Sequence, residues 1–124
     1  VETIMHTGDD IPLVPTNASI SDALLEMSSK GLGMTGIIDG NSKLAGVYTD
    51  GDLRRTLDQG LSIQDTPIAD VMSKGCKTTT ANTLAVEALN LMDNNSINAL
   101  IVVDENNTPV GALNMHSLLK AGVV

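Results

Sequence analysis

Phenylalanine and tryptophan are absent from this 124-residue chain, and Tyr48 is its one aromatic residue. Without aromatic platforms, base stacking on single-stranded nucleic acid is excluded. Basic residues are also scarce: seven Lys and Arg stand against fifteen Asp and Glu, and the net charge of −8 repels nucleic-acid phosphates and anionic membranes at long range. An anionic ligand must therefore be held by local dipoles and a few cations. The lone cysteine, Cys76, excludes an internal disulfide and fits a reducing compartment. Nothing supplies the base and orienting group that would make it a nucleophile. His6 and His116 have no Cys or second His nearby, so no metal site is expected. No apolar run approaches the ~18 residues of a membrane span. The first residues, Val1 to Thr7, lack the charged and apolar regions of a signal peptide. The chain is expected to be a piece of a longer, cytoplasmic protein.

What is present suits a packed domain. Apolar residues make up 42% of the chain and the mean hydropathy is +0.12, which excludes compositional disorder. The chain also repeats itself at an offset of 65 residues. Of 34 ungapped pairs from Asp22/Glu87 to Arg55/Lys120, seven are identical: Ala23/Ala88, Leu24/Leu89, Met27/Met92, Asp39/Asp104, Asn41/Asn106, Gly46/Gly111 and Leu53/Leu118. Pairs such as Leu32/Ile97, Ile37/Val102 and Ile38/Val103 keep apolar character, so the match follows fold positions. A repeat of about 60 residues buries little surface by itself, and the two copies, 1–61 and 62–124, are expected to share a core.

Local signals predict the same element order twice. Ile11 to Val14, interrupted by Pro12, reads as a short edge strand. Ser19 with Asp22 three residues on is a capping box, and Ala23, Leu24 and Met27 recur at helical spacing up to about Lys30, where Gly31 and Gly33 end the helix. Strands are predicted at Met34 to Ile38 and Leu44 to Tyr48, around a polar turn at Asp39 to Lys43, followed by a helix from Asp50 to about Gln59. The second copy has a helix from Leu84 to about Asn94, strands at Ala99 to Val103 and Val110 to Leu113, and a helix from Met115 to Ala121 with Gly122 after it. Ser62 to Lys77 is a connector with an apolar patch at Ile68 to Met72, and Ile4-Met5 and Val71-Met72 stand at matching entrances. The fold class is α/β (α+β), each repeat being strand, helix, strand, strand, helix.

This order, the paired Met5 and Met72, and the turn Gly46-Val47-Tyr48-Thr49-Asp50-Gly51-Asp52 resemble the tandem cystathionine β-synthase (CBS) domain pair over essentially the whole chain. The resemblance implies pseudo-twofold symmetry and a nucleotide signature of Gly, two apolar residues, Thr or Ser, two variable residues and Asp. Carried over, it assigns Thr49 to phosphate or ribose and Asp52 to the ribose hydroxyls. A carboxylate suits a ribose diol, and a helix N-terminus offers free N–H groups to phosphate. Thr49 to Asp52 is equally a plain capping box. Met34 and Thr35 match positions lining the family's base pocket, or pack the core. Arg54 and Arg55 either reach a phosphate or stay solvated. In the second copy Asn114 can cap its helix, but Ser117 replaces the carboxylate.

Longer strings narrow the resemblance. Ile4-Met5-His6-Thr7-Gly8, Tyr48 to Arg55, Ala85 to Met92 and Leu118 to Val124 are similar to the C-terminal half of bacterial D-arabinose 5-phosphate isomerases. That family carries an N-terminal sugar isomerase domain interconverting D-ribulose 5-phosphate and D-arabinose 5-phosphate for Kdo and lipopolysaccharide synthesis. The resemblance therefore implies no catalysis in this stretch, and instead a regulatory module with that domain as its partner. Its expected ligand is AMP, ATP or a cytidine nucleotide such as CMP-Kdo, with no cofactor required. The alternative is an oligomerisation module, a homodimer through the helices, with a vestigial pocket.

Overall fold

The computed structural model describes residues 4–75 and 77–120. Those residues form β1 (Leu13–Pro15), α1 (Ile20–Lys30), β2 (Met34–Ile38), β3 (Leu44–Thr49) and α2 (Asp50–Asp58), then β4 (Thr78–Thr79), α3 (Ala85–Asn94), β5 (Ala99–Val103), β6 (Pro109–Asn114) and α4 (Met115–Lys120). The strand-helix-strand-strand-helix order thus occurs twice. Compact units group the chain differently from the sequence repeat, with Pro12–Cys76 in one and Val1–Ile11 together with Lys77–Val124 in the other. Ala121, Gly122 and Cys76 lie outside the described residues.

In the unit of residues 12–76, β2 is the central strand, parallel to β1 with Leu13 opposite Gly36 and antiparallel to β3 with Met34 opposite Thr49. The parallel pair needs a crossover, which α1 supplies. At its start Ser19 Oγ accepts from the Asp22 N–H (3.1 Å) and Asp22 Oδ2 from the Ser19 N–H (3.3 Å). At its end Gly31 takes a φ of 70°, open to glycine, and donates its N–H to the Met27 carbonyl (2.9 Å). The helical spacing of Ala23 and Met27 turns them, with Ile20, onto Ile37, Tyr48 and Ile68. The first strand runs Leu13–Pro15 rather than from Ile11. Pro12 contributes only a carbonyl, which accepts from Gly36 N–H (2.8 Å), and Pro15 lacks a donor where an edge strand needs none.

The other unit repeats this topology, with β5 between β4 and β6 and a core of Ala88, Met92, Leu100, Val102, Leu113 and Leu118. β4 is two threonines long, too short and too polar to show alternation, which is why the sequence did not reveal it.

Identities between the copies have distinct physical causes. Ala23 and Ala88, both fully buried, leave room for the sheet under each helix. Asp39 Oδ1 accepts from the N–H groups of Asn41 (2.8 Å) and Lys43 (3.1 Å), and Asp104 Oδ1 likewise from Asn106 (2.8 Å) and Thr108 (2.9 Å), so one carboxylate organises each hairpin turn. Gly46 and Gly111 are seats for the entrance segments. Ser73 exchanges both backbone hydrogen bonds with Val47 (2.8 and 3.0 Å), and His6 with Ala112 (2.7 and 2.9 Å). Each copy therefore closes its hairpin sheet with the peptide that leads into the other copy.

A side chain at either glycine has no room. A Cβ on Gly46 would lie 2.8 Å from the Ser73 carbonyl oxygen and 2.9 Å from Met72 Sδ, whereas on Gly111 the nearest atoms are the flexible Met5 Sδ (2.5 Å) and Cγ (3.0 Å), with the His6 carbonyl at 3.2 Å. Gly46→Ala is expected to lower stability by about 1–3 kcal/mol, and Gly111→Ala by less, because a thioether yields more readily than a backbone carbonyl. Urea unfolding midpoints of the two variants decide the order, and equal losses would show that the methionines alone set the fit.

Candidate functional site

β3 delivers Tyr48 and Thr49 to the start of α2, and Thr49, with extended backbone (φ −123°, ψ 175°), is the N-cap. Its Oγ1 accepts from the Asp52 N–H (3.4 Å), while Asp52 Oδ2 accepts from the Thr49 N–H (2.9 Å) and the Thr49 hydroxyl (3.2 Å). The capping box uses one carboxylate oxygen. The other, Oδ1, accepts from the Ser73 hydroxyl (2.8 Å) and pairs with Arg55 Nη2. Asp52 is 5% exposed and the Arg55 side chain 66%. A carboxylate offers about four lone-pair positions, and here the protein fills all four.

Behind this cluster, Tyr48 is fully buried and its hydroxyl lies 2.8 Å from Thr56 Oγ1. Thr56 donates to the Asp52 carbonyl (2.9 Å), so the phenol must be the donor to Thr56. Burial raises the Tyr48 pKa and the Asp52 charge raises it further, while the Thr56 hydrogen bond and the Arg55 charge oppose them. Beside Asp52 opens a cleft of about 200 Å³, lined by Asp52, Arg55, Thr56, Gln59, Asp70, Val71 and Met72. Ordinary small-molecule sites enclose roughly 300–1,000 Å³, so this cleft has room for one part of a nucleotide rather than the whole.

Of the candidates read from the sequence, Thr49, Asp52 and Arg55 come together here. Met34, 5% exposed, stands opposite Thr49 in the β2–β3 register. Thr35 is fully buried and its hydroxyl donates to the Ala23 carbonyl (3.0 Å), which commits it to the helix-sheet contact. Arg54 is exposed on α2. Ser73 was not among the sequence candidates. The match of Met72-Ser73 to Met5-His6 at the two entrances is the signal that points to it.

The second copy has the same three stations with different chemistry. Asn114 Oδ1 accepts from the Ser117 N–H (2.9 Å) and hydroxyl (2.7 Å), and His6 Nε2 lies 3.3 Å from Ser117 Oγ. Because the Ser117 proton goes to Asn114, His6 is the donor. Asn114, Ser117 and His6 stand where the first copy has Thr49, Asp52 and Ser73, and no carboxylate is among them.

Residues 1–59 and 68–124 match the CBS domain family. The chain is 52% identical over its full length to arabinose 5-phosphate isomerase KdsD of Pseudomonas aeruginosa and 51% identical to that of Escherichia coli K12. It spans 38% of the length of each of these relatives. Among solved structures, CBSX2 in complex with AMP superposes with a TM-score of 0.81 at 23% identity, covering 98% of this chain and 94% of that one. A CBS domain pair in complex with 5′-methylthioadenosine and S-adenosyl-L-methionine gives 0.85 at 20% identity, covering 98% of both chains.

Tyr48 offers a direct check on the cluster. Its raised pKa means that the fold favours the neutral phenol, so its contribution to stability is complete below the ordinary tyrosine value of about 10 and is lost as pH rises through the folded pKa. Removing the negative charge with Asp52→Asn should lower the Tyr48 pKa. Phenolate absorbance during alkaline titration reports the shift, and an unchanged or higher value would contradict the arrangement described.

Proposed function

Because the chain belongs to the CBS domain family, we propose that it is a regulatory nucleotide-binding module whose ribose site is built on Thr49 and Asp52 of the first copy. The observation that carries this reading is the Asp52 carboxylate, nearly buried at the start of α2, with one oxygen committed to the helix cap and the other directed to an exposed arginine and a serine hydroxyl. In this reading Oδ1 exchanges its protein donors for ribose hydroxyls, and the first-turn N–H groups of α2 suit a phosphate. Val71 and Met72 offer apolar surface to a base where no aromatic residue is available.

An adenosine nucleotide, AMP or ATP, is the ligand class that the fold's relatives support, since one was solved with AMP and another with 5′-methylthioadenosine and S-adenosyl-L-methionine. The identity to arabinose 5-phosphate isomerases supports a place for this module in such an enzyme, beside an N-terminal sugar isomerase domain, in the cytoplasmic supply of Kdo for lipopolysaccharide. In that setting a cytidine nucleotide such as CMP-Kdo is the alternative ligand, acting as a downstream product. The module itself performs no catalysis. Its ligand shifts the isomerase only by binding one arrangement of the module more tightly than another.

A second reading, oligomerisation with a vestigial pocket, is favoured by the apolar side chains that the helices leave in solvent: Leu25 (68% exposed) on α1, Leu57 (58%) on α2, Val86 (49%) on α3 and Leu119 (50%) on α4. A homodimer through these helices would cover them.

Calorimetric titration with AMP, ATP, CMP and CMP-Kdo separates the readings. Binding by one of them, weakened about tenfold or more in Asp52→Asn through loss of a charged hydrogen-bond acceptor, is the expected result. No heat and no thermal shift with any of the four would leave oligomerisation, which light scattering measures directly.

A further inference from the structure

The Asp52 carboxylate has no acceptor position to spare, so a ribose diol has to evict donors that are already there. The four donors are not equally held. Two belong to Thr49 and start the helix; losing them uncaps α2. The third, the Ser73 hydroxyl, sits on a backbone pinned to Val47 by two hydrogen bonds, and yields only by rotating in place. The fourth is the Arg55 guanidinium, on a long side chain that is 66% exposed and reaches Asp52 from one turn along the same helix. Of the four donors it is the one whose side chain is largely in solvent, where water can take up its N–H groups on release, so it is the one freest to leave for a better partner.

Arg55 also has somewhere to go. A Cβ built on Gly51 would lie 3.9 Å from Arg55 Nη1 and 3.7 Å from Thr49 Oγ1, which places the guanidinium alongside the first turn of α2. At that turn the N–H groups of Asp50 and Gly51 are the helix's own unpaired donors. The same turn carries the carboxylates of Asp50 and Asp52, which repel a phosphate unless a cation stands between. Resting on the ribose-binding oxygen, Arg55 is within a short side-chain swing of the position a phosphate would take.

Resting on the ribose-site reading above, we propose that Arg55 is a displaceable plug: it occupies Asp52 while the site is empty and transfers to the ligand's phosphate on binding. The site thereby selects phosphorylated nucleosides over free ones. A nucleoside displaces the arginine and leaves its fork in water, whereas a nucleoside monophosphate displaces it and re-pairs it bidentately.

The test compares AMP with adenosine, and CMP with cytidine, by calorimetry on the wild-type chain, Arg55→Ala and Asp52→Asn. The wild type is expected to prefer the monophosphate. In Arg55→Ala the nucleoside should bind more tightly than to wild type and the monophosphate more weakly, so that the preference falls about tenfold or more. Asp52→Asn should weaken both ligands. If Asp52→Asn weakens both while Arg55→Ala leaves the nucleoside unchanged, or weakens nucleoside and monophosphate equally, the plug is refuted and the ribose site stands. If Asp52→Asn leaves binding unchanged, or no ligand binds the wild type, the ribose site is refuted and the plug falls with it.

Discussion

The seating of Met72 and Ser73 over Gly46 and Val47 is the contact on which the candidate site depends. It closes the open side of the β2–β3 hairpin by backbone pairing, and brings a serine hydroxyl to Asp52 from 21 positions away in sequence. A nearly buried carboxylate is costly unless its oxygens are hydrogen-bonded, by several kcal/mol for an ion without partners. The helix cap satisfies half of Asp52, and the seated connector, with Arg55, satisfies the remainder. The same glycine that admits the methionine therefore makes the charge tolerable.

The second copy shows what the same frame does without a charge. Asn114, Ser117 and His6 form a chain of hydrogen bonds without a carboxylate, in which each proton has one acceptor. In the first copy the carboxylate accepts from every side, which draws both a hydroxyl and a guanidinium. Three side-chain differences, Thr49 against Asn114, Asp52 against Ser117 and Ser73 against His6, turn an anionic acceptor into a closed polar relay on the same order of elements. Duplication preserved packing and left the polar stations free to diverge.

Much of the frame was legible in the sequence because its signals are local. Ser19 with Asp22, Gly31 in its left-handed conformation, the short apolar run of β2 and the Asp39 turn are each decided within a few residues of themselves. The capping box of Thr49 and Asp52 was legible for the same reason; it uses one carboxylate oxygen and leaves the other to Ser73 and Arg55. What escaped was non-local or too short. Ser73 and His6 reach their partners through backbone pairing across 26 or more positions, which no window of residues displays. β4 is a pair of threonines recognised only by its neighbour β5, and the commitment of Thr35 to the Ala23 carbonyl is a matter of packing.

The entrance segments give the chain's ancestry a particular character. Each copy completes itself with a peptide that the sequence assigns to its twin, so a deletion at the repeat boundary would strip Met72 and Ser73 from the first copy and leave Met5 and His6 with no strand to join. A cut that follows the compact units instead leaves each seam whole, so the chain divides at a different place from its sequence repeat.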